Sequence, residues 1–348
     1  MNDIEKKRLT NIAPLFGCSC KLPETELETL LDDINVRYSP EILGPGDDAA
    51  VIKINDDLAI IKTTDFFTPI VDDPYIQGKI AACNATNDIY AMGATDIVGV
   101  LALLGIPREL PIDNARMMLK GFQDFCNSIG TSIVGGHTII NPWPFIGGAV
   151  TAISPPNKIV YNSGAQAGDV LLLTKPLGIQ PAMASTRLSS EYPSNILSEL
   201  DSCILTNAVD LAIECMTTSN LNAAKAINEV GANALTDVTG FGLYGHGLNI
   251  AKKSNVSLNI NLIPIISGTL ELSALFEHGL EEGISAETAG GLLISVSKEN
   301  LDEMIHALNK YNVPAYEIGN VKEKGNRHVV IDNPEILEIS SLSVKFQN

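Results

Sequence analysis

Short apolar runs alternate with longer helical patterns along the chain, and one polar, proline-rich break divides this alternation in two. The break extends from Ser154-Pro155-Pro156-Asn157 to Asn162-Ser163-Gly164, and a new apolar run begins at Asp169. Mixed strands and helices on both sides of the break are typical of the α/β and α+β classes. Because a single hydrophobic core rarely grows beyond roughly 250–300 residues, we expect the 348-residue chain to form two domains.

The individual elements follow from apolar periodicity and from turn residues. In the first half, we predict strands over 49–54, 58–63, 97–104, 131–134 and 147–153, and helices over 74–92 and 113–129. In the second half, we predict strands over 169–174, 256–262, 291–296, 316–319 and 328–331, and helices over 180–188, 194–215, 219–230 and 299–311.

Charge and composition exclude several classes of protein. A net charge of −18 repels phosphate backbones, which argues against nucleic acid and anionic membranes as partners. The longest apolar run, 97–106, is too short to cross a bilayer, and the basic N-terminus has no apolar segment behind it, so we expect a cytoplasmic protein.

Six cysteines in a chain of this length do not predict a disulfide framework. Four of them lie in apolar helical patterns that predict core positions, namely Cys83, Cys126, Cys203 and Cys215.

The segment Gly17-Cys18-Ser19-Cys20-Lys21 places two thiols and an ammonium within four residues of a glycine. A neighbouring ammonium favours the thiolate, which is the nucleophilic form of cysteine. The alternative is half of a zinc site, but such a site needs further ligands and the sequence has no second Cys/His cluster. We therefore favour a reactive thiol. Proximity to Lys21 does not decide between Cys18 and Cys20.

Four aspartates stand beside small residues at predicted strand ends or on a predicted helix. Asp48 opens a strand, Asp65 ends one, and Asp237 precedes a glycine turn. Asp88 is four residues after Asn84, so both share one face of the helix predicted over 74–92. Carboxylates that converge in this way suit Mg²⁺ bound together with nucleotide phosphates. Each aspartate taken alone is better explained as a turn former or a helix cap.

Three glycine pairs could offer backbone N–H groups to phosphate, although tight turns are the commoner explanation. They are Gly135-Gly136-His137-Thr138, which we place after a strand, Gly240-Phe241-Gly242, which we place before a helix, and Gly290-Gly291, which we place before a strand. The chain contains neither of the usual glycine-rich nucleotide motifs, so any nucleotide is bound by another architecture. His137 is the only histidine next to a candidate site in this interpretation, and a structural role is favoured for it.

Taken together, these blocks resemble the selenophosphate synthetases (selenide, water dikinases). The resemblance extends from about residue 8 to about residue 331 and is carried by the blocks Arg-Leu-Thr (8–10), Gly-Cys-Ser-Cys-Lys (17–21), Asp-Asp-Ala-Ala-Val (47–51), Thr-Thr-Asp-Phe-Phe (63–67), Pro-Ile-Val-Asp-Asp-Pro-Tyr (69–75), Asn-Asp-Ile-Tyr-Ala-Met-Gly (87–93), Gly-Gly-His-Thr (135–138), Asn-Pro-Trp (141–143), Thr-Lys-Pro-Leu-Gly (174–178), Thr-Asp-Val-Thr-Gly-Phe-Gly (236–242) and Thr-Ala-Gly-Gly-Leu-Leu (288–293). The aspartate and glycine blocks also resemble aminoimidazole ribonucleotide synthetase, thiamine-monophosphate kinase and a hydrogenase maturation factor. The cluster at residues 17–21 is what separates the selenophosphate synthetases from these relatives.

The resemblance implies a two-domain aminoimidazole ribonucleotide synthetase-like fold of the α/β (α+β) class, in which the N-terminal halves of two subunits form a shared β-barrel. It implies a mobile catalytic segment over 1–21, an ATP- and Mg²⁺-binding dimerisation domain over 22–156, and an α/β domain over 165–348. The expected partners are a second copy of the chain and the small molecules ATP and selenide. K⁺ and a selenium-delivering protein are additional expectations.

The implied reaction converts ATP, selenide and water to selenophosphate, AMP and phosphate, supplying selenium for selenocysteine or selenium-modified tRNA. The matching positions predict Cys18 and Lys21 as catalytic, carboxylates for Mg²⁺ at Asp48, Asp65, Asp88 and Asp237, and a nucleotide site at Lys21, Asp65, Asn84, Asp88, Gly135, Gly136 and Thr138. The alternatives are a relative that phosphorylates another small acceptor and a non-catalytic nucleotide-binding regulator. The chain departs from the family pattern at Ser19, where glycine is usual, and at Ala289, where serine is usual.

Overall fold

The computed structural model describes residues 8–22, 24–31, 42–43, 46–191 and 202–342. The chain divides into two compact units, Met1–Ile159 and Val160–Asn348. In the described part of the chain, each unit contains one six-stranded sheet with helices packed against it. The predicted fold class, two α/β halves, is thereby confirmed.

The first unit is built on a largely antiparallel sheet with strand order β1-β2-β3-β6-β4-β5, in which only the β4–β5 pair is parallel. Its strands are β1 (Ile42–Leu43), β2 (Ala50–Lys53), β3 (Ala59–Phe67), β4 (Asp96–Ile106), β5 (Ile133–Ile140) and β6 (Phe145–Ser154), and its helices are α1 (Glu24–Leu31), α2 (Pro74–Ala91) and α3 (Ile112–Ser128).

Helix α2 is the buried element that positions the site described below. It begins at Pro74, which suits the first turn because proline has no N–H to leave unpaired. The Asp73 carboxylate caps the helix by accepting from the backbone N–H groups of Tyr75 and Ile76, at 2.8 and 3.0 Å. Helix α3 crosses α2 at two glycines, where a Cβ on Gly78 or on Gly121 would lie 1.9 Å from a carbonyl oxygen of the other helix. This close crossing fixes α2 against α3 and the sheet.

The second unit has the strand order β12-β9-β11-β7-β10-β8, in which β12 and β9 are parallel and the other pairs are antiparallel. Its strands are β7 (Val170–Leu173), β8 (Ala234–Asp237), β9 (Val256–Ile266), β10 (Leu292–Val296), β11 (Tyr316–Glu323) and β12 (Val329–Ile339), and its helices are α4 (Ile179–Glu191), α5 (Ser202–Thr217), α6 (Leu221–Val230), α7 (Gly242–Ser254), α8 (Thr269–Phe276) and α9 (Leu301–Lys310). Strands β7 and β10 are buried along their whole length, which explains their unbroken apolar sequences.

Several expectations need correction. Strands β1 and β8 and helices α1 and α8 were not predicted, because elements of two to eight residues carry too little periodicity to be recognised. Strand β3 continues through Asp65 to Phe67, so Asp65 lies within the strand, not at its end. Cys83, Cys126 and Cys215 are buried as predicted, but Cys203 is exposed at the start of α5. The first part of the helix predicted over 194–215 lies outside the described residues.

Among the residues described, no helix is both long enough and apolar enough to span a membrane.

Candidate active site

The N-terminal segment, defined here as residues 8–21, lies against the chain that follows β3. The Gly17 N–H donates to the Thr68 carbonyl at 3.0 Å, and the Thr68 hydroxyl donates to the Leu15 carbonyl at 2.5 Å. Gly17 has a φ of +54°, a conformation that favours glycine, and the chain turns there into a short 3-10 helix over Cys18–Cys20. This turn directs Cys18 inward, where only 1% of the residue is exposed.

Four side chains form a hydrogen-bonded group that we call the Cys18 cluster: Cys18, Lys21, Asp65 and Asn84. The Cys18 Sγ lies 3.4 Å from Asn84 Oδ1, and Asn84 Nδ2 donates to Asp65 Oδ2 at 2.7 Å. Lys21 Nζ donates to the same Asp65 oxygen at 2.8 Å. Three separate elements therefore meet here, because Asp65 is on β3, Asn84 is on α2, and the other two residues come from the N-terminal segment.

The charges of this cluster are strongly coupled. Burial alone would lower the pKa of Lys21, but the negative groups around the ammonium, first Asp65, raise that pKa well above its ordinary value of 10.5. Lys21 is therefore a permanent positive charge at neutral pH. Burial raises the pKa of Cys20, and the charge of Lys21 only partly opposes this, so Cys20 stays a neutral thiol. The two thiols beside Lys21 thus differ in environment.

Asp88 extends the cluster along α2. It lies one turn after Asn84, and its carboxylate accepts a hydrogen bond from the Thr63 hydroxyl. Thr63 and Asp65 are two residues apart on β3, so their side chains leave the same face of the strand. The charge of Asp88 also acts on Lys21. The structure thus brings Asp65, Asn84 and Asp88 together on one side of β3 and α2.

Asp48 lies at the same end of the sheet. It is two residues before β2, whose first residue, Ala50, pairs with Lys62 on β3. In an antiparallel pair, residues before Ala50 lie alongside residues after Lys62, which is the direction of Asp65. Asp48 is half-buried, and its N–H donates to the side chain of Asp47 at 3.1 Å.

Asp237, the fourth predicted metal ligand, belongs to the second unit. It is the last residue of β8, pairs with Leu292 and is buried. A carboxylate oxygen of Asp237 and a ring nitrogen of His246 lie within 4.8 Å of one another. His246, on α7, has its Nε2 3.2 Å from the Thr239 hydroxyl. His246 was not predicted from the sequence, and the expectation that only His137 adjoins a candidate site is wrong. The sequence feature that could have indicated His246 is its position nine residues after Asp237.

The Gly135–Thr138 block does not form the turn that we predicted, since it lies inside β5, the edge strand of the first sheet. Two strands, β6 and β4, separate it from β3 and the Cys18 cluster of the same chain. Gly136 is explained by packing, because a Cβ there would lie 2.1 Å from the Ala102 carbonyl oxygen on β4. His137 and Thr138 are exposed. A nucleotide role for Gly135, Gly136 and Thr138 stays a prediction.

Comparisons with known proteins agree with this architecture. Residues 46–154 match the family described as AIR synthase related protein, N-terminal domain, and residues 166–332 match AIR synthase related protein, C-terminal domain. The structure is similar to that of the hydrogenase maturation protein HypE in complex with ATP, with a TM-score of 0.61 and 20% identity over 93% of each chain. A likeness at this identity concerns the fold.

Two relatives are similar to the chain over almost its whole length. The selenide, water dikinase of Methanocaldococcus jannaschii is 53% identical over 348 aligned residues, which cover 96% of this chain and 99% of the relative. The selenide, water dikinase of Methanococcus maripaludis is 49% identical over 339 residues, which cover 93% of this chain and 99% of the relative. These matches include the N-terminal region that lies outside the two AIR synthase related domains.

Proposed function

Because the chain belongs to the selenide, water dikinase family within the AIR synthase related proteins, we propose that it converts ATP, selenide and water to selenophosphate, AMP and phosphate. The observation that carries this proposal is the Cys18 cluster, in which a buried sulfur lies against Asn84 while Lys21 and Asn84 share Asp65. A thiol that contacts an amide and an ammonium that contacts a carboxylate are grouped here. These groups suit selenide as the phosphoryl acceptor, because selenide is itself a reactive chalcogen anion.

We assign the roles in this reaction by chemistry. Cys18 handles selenium, through its thiolate or a selenium adduct, because its sulfur faces the cluster. Lys21 supplies positive charge at the phosphoryl group that is transferred, and phosphoryl transfer depends more on charge neutralisation and in-line positioning than on covalent help. Asn84 orients Cys18 relative to Asp65, since its amide contacts both. The closed N-terminal segment keeps water away from the selenium intermediate.

We propose Asp48, Asp65, Asp88 and Asp237 as the ligands that hold Mg²⁺. Their chemistry fits, because carboxylate oxygens are the hard ligands that Mg²⁺ prefers, and Asp65 and Asp88 lie on one side of β3 and α2. Bound Mg²⁺ supplies neutralisation of the polyphosphate charge and makes this acidic site acceptable to ATP. Lys21 and Asn84 then bind the nucleotide beside Asp65 and Asp88, and K⁺ is a further expected ion.

We also propose that the protein acts as a homodimer joined through the first sheet. The face of this sheet opposite α2 and α3 exposes three large apolar side chains, Phe66 (49%), Leu101 (46%) and Ile139 (43%). Strand pairing places them on one face, since Phe66 pairs with Gly147, Gly147 pairs with Leu103, and Ile139 lies across from Gly105. Exposed apolar surface of this kind marks an interaction site, and a shared β-barrel would bury it.

A cytoplasmic location supports this chemistry, because reactive thiols persist in a reducing compartment. None of the six cysteines, all of which lie in the described part of the chain, forms a disulfide. A protein that delivers selenium is an additional proposed partner.

The test is ³¹P NMR of the purified protein with ATP, Mg²⁺ and selenide. We expect selenophosphate, AMP and phosphate in equal amounts. ADP in place of AMP would identify a kinase for another acceptor, and unchanged ATP with measurable nucleotide binding would identify a regulator. Either of these two results would overturn the proposed function.

A further inference from the structure

The block Arg8-Leu9-Thr10 lies outside the Cys18 cluster. Two of its residues, Arg8 and Thr10, bind the side chain of Asp72. The Arg8 Nε pairs with the Asp72 carboxylate, the Thr10 N–H donates to Asp72 Oδ1 at 3.0 Å, and the Thr10 hydroxyl donates to the same oxygen at 2.7 Å. Thr10 and Leu9 are both buried at this point, with 1% and 4% exposed. Asp72 therefore receives one charged and two neutral hydrogen bonds from the start of the N-terminal segment.

Asp72 is a rigid point of attachment. It directly precedes Asp73, which caps α2, and the close crossing with α3 fixes α2 in turn. A second attachment lies further along the segment, where Gly17 pairs with Thr68. Residues 10–17 of the segment thus run antiparallel to residues 68–72, with one attachment at each end of this stretch, and Cys18 comes immediately after the second attachment.

This geometry matters because the Cys18 sulfur is buried. A substrate or reagent gains access to it when the segment separates from the residues beneath it. Separation of the whole segment breaks the bonds at Asp72, the pair between Gly17 and Thr68, and the bond between Lys21 and Asp65. A weaker attachment at Asp72 therefore lowers the free energy of this opening and exposes Cys18 more often.

We propose that Asp72 is a positioning residue that holds Arg8 and Thr10 and thereby keeps the N-terminal segment closed over Cys18. Loss of this contact exposes the thiol and lets water compete for the phosphoryl group. The second consequence rests on the proposed function, since it supposes that ATP is cleaved to transfer phosphate to selenide. The first consequence does not, because it concerns only the accessibility of a thiol.

The first experiment measures how fast a disulfide reagent, 5,5′-dithiobis(2-nitrobenzoate), modifies Cys18 in the full chain without substrates. Cys20→Ser and Cys203→Ser form the background, because the other three cysteines are buried. We expect Asp72→Ala to raise the rate about tenfold or more, as loss of a charged hydrogen bond does. Asp72→Asn keeps an acceptor for Thr10 and should raise it less.

Matched variants distinguish loss of the attachment at Asp72 from a general loss of stability, since only the first should raise the modification rate of Cys18 alone. Thr10→Val removes the hydroxyl bond and should raise the Cys18 rate several-fold, whereas Thr10→Ser keeps the bond and should restore the background rate. Arg116→Ala breaks an exposed Arg–Asp pair of the same unit and should change nothing. An unchanged rate in folded Asp72→Ala, or an equal rise in modification of buried Cys126, would overturn the proposal.

The second experiment compares AMP with selenophosphate in Asp72→Ala with the native cysteines. We expect AMP to exceed selenophosphate at least twofold, with the excess phosphoryl group appearing as phosphate because water has accepted it. A one-to-one ratio would overturn this consequence. If the native protein forms no selenophosphate, the proposed function fails, while the thiol measurement still decides the role of Asp72.

Discussion

Cys18 and Cys20 are two residues apart beside the same lysine, yet their surroundings differ. The Cys18 sulfur contacts Asn84, which is bonded to Asp65. Cys20 is outside this chain of bonds, and burial raises the pKa of its thiol. Cys18 is thus the thiol that contacts the group formed by Asn84, Asp65 and Lys21, and this position is the reason to assign it, where sequence proximity could not choose.

We therefore expect Cys18→Ser to abolish selenophosphate formation while Mg-ATP binding is kept, because the carboxylates stay in place. Cys20→Ser should retain most of the activity. Selenide-dependent AMP production measures both, and calorimetry measures nucleotide binding. An active Cys18→Ser with an inactive Cys20→Ser would reverse the assignment, and two active variants would show that the thiols are structural.

A second prediction concerns the four aspartates that we propose as Mg²⁺ ligands. Replacement of one aspartate by asparagine should weaken Mg-ATP binding or turnover by roughly 1 kcal/mol or more, as loss of a charged contact does. The variants are Asp48→Asn, Asp65→Asn, Asp88→Asn and Asp237→Asn. Asp113→Asn, on the exposed surface of α3, is the control. Normal calorimetric affinity and normal turnover in all four would contradict the proposed metal site.

The two departures from the family pattern are compatible with the site. The Ser19 hydroxyl donates to the Phe16 carbonyl, which tightens the turn that carries Cys18. Ala289 is buried with a φ of +51°, and its carbonyl accepts from the Lys175 ammonium at 2.8 Å. This contact at position 289 is made by the backbone oxygen and does not depend on a side-chain hydroxyl.

At the scale of elements, helix α4 depends on a carboxyl group from a distant part of the chain. Both oxygens of Glu287 accept backbone N–H groups at the start of the helix, from Gly178 at 2.8 Å and from Ile179 at 2.9 Å. Burial nevertheless raises the pKa of Glu287 from 4.5 to about 8, and the two backbone bonds only partly oppose it. Glu287 therefore keeps its proton to a higher pH in the folded protein than in the unfolded chain.

This gives a pH-dependent stability. A carboxyl group with a higher pKa in the folded chain than in the unfolded chain binds its proton more tightly when folded. The contribution of Glu287 to the free energy of unfolding is complete below pH 4.5 and is lost as the pH rises through about 8. We expect the free energy of unfolding to fall by roughly a few kcal/mol between pH 5 and pH 8.

Glu287→Gln cannot ionise and should flatten this profile, as thermal unfolding at several pH values would record. Glu281→Gln, at an exposed position nearby in sequence, should leave the profile unchanged. If Glu287→Gln showed the same slope as the native protein, the group responsible would have to be sought elsewhere.

At the scale of the whole molecule, we expect the apolar face of the first sheet to form the interface of the proposed dimer. Leu101→Glu places a charge on this face and should convert the proposed dimer to a monomer, because an unpaired buried charge is costly. Light scattering at micromolar concentration measures the mass. Ile112→Glu, an exposed apolar position at the start of α3, should leave the dimer intact. A native protein that is already monomeric would refute the dimer.

The amino-acid sequence by itself determined the fold class, the two-part division and most long elements, because the periodicity of apolar residues reports which face of a strand or helix is buried. It also singled out Cys18, Lys21, Asp65 and Asn84, since short local motifs concentrate unusual chemistry. The spacing of Asn84 and Asp88 correctly placed them on one helix face, because that relation depends only on helical geometry.

Tertiary structure alone decided which of these residues touch. The contacts between Cys18 and Asn84, between Thr10 and Asp72, and between Glu287 and Ile179 join residues 62 to 108 positions apart. Local pattern carries no information on such distances, because they follow from how elements pack, not from the order of residues along one element. The glycines of β5 illustrate the same limit, since a Gly-Gly pair indicates a turn locally while a close approach of β4 explains Gly136.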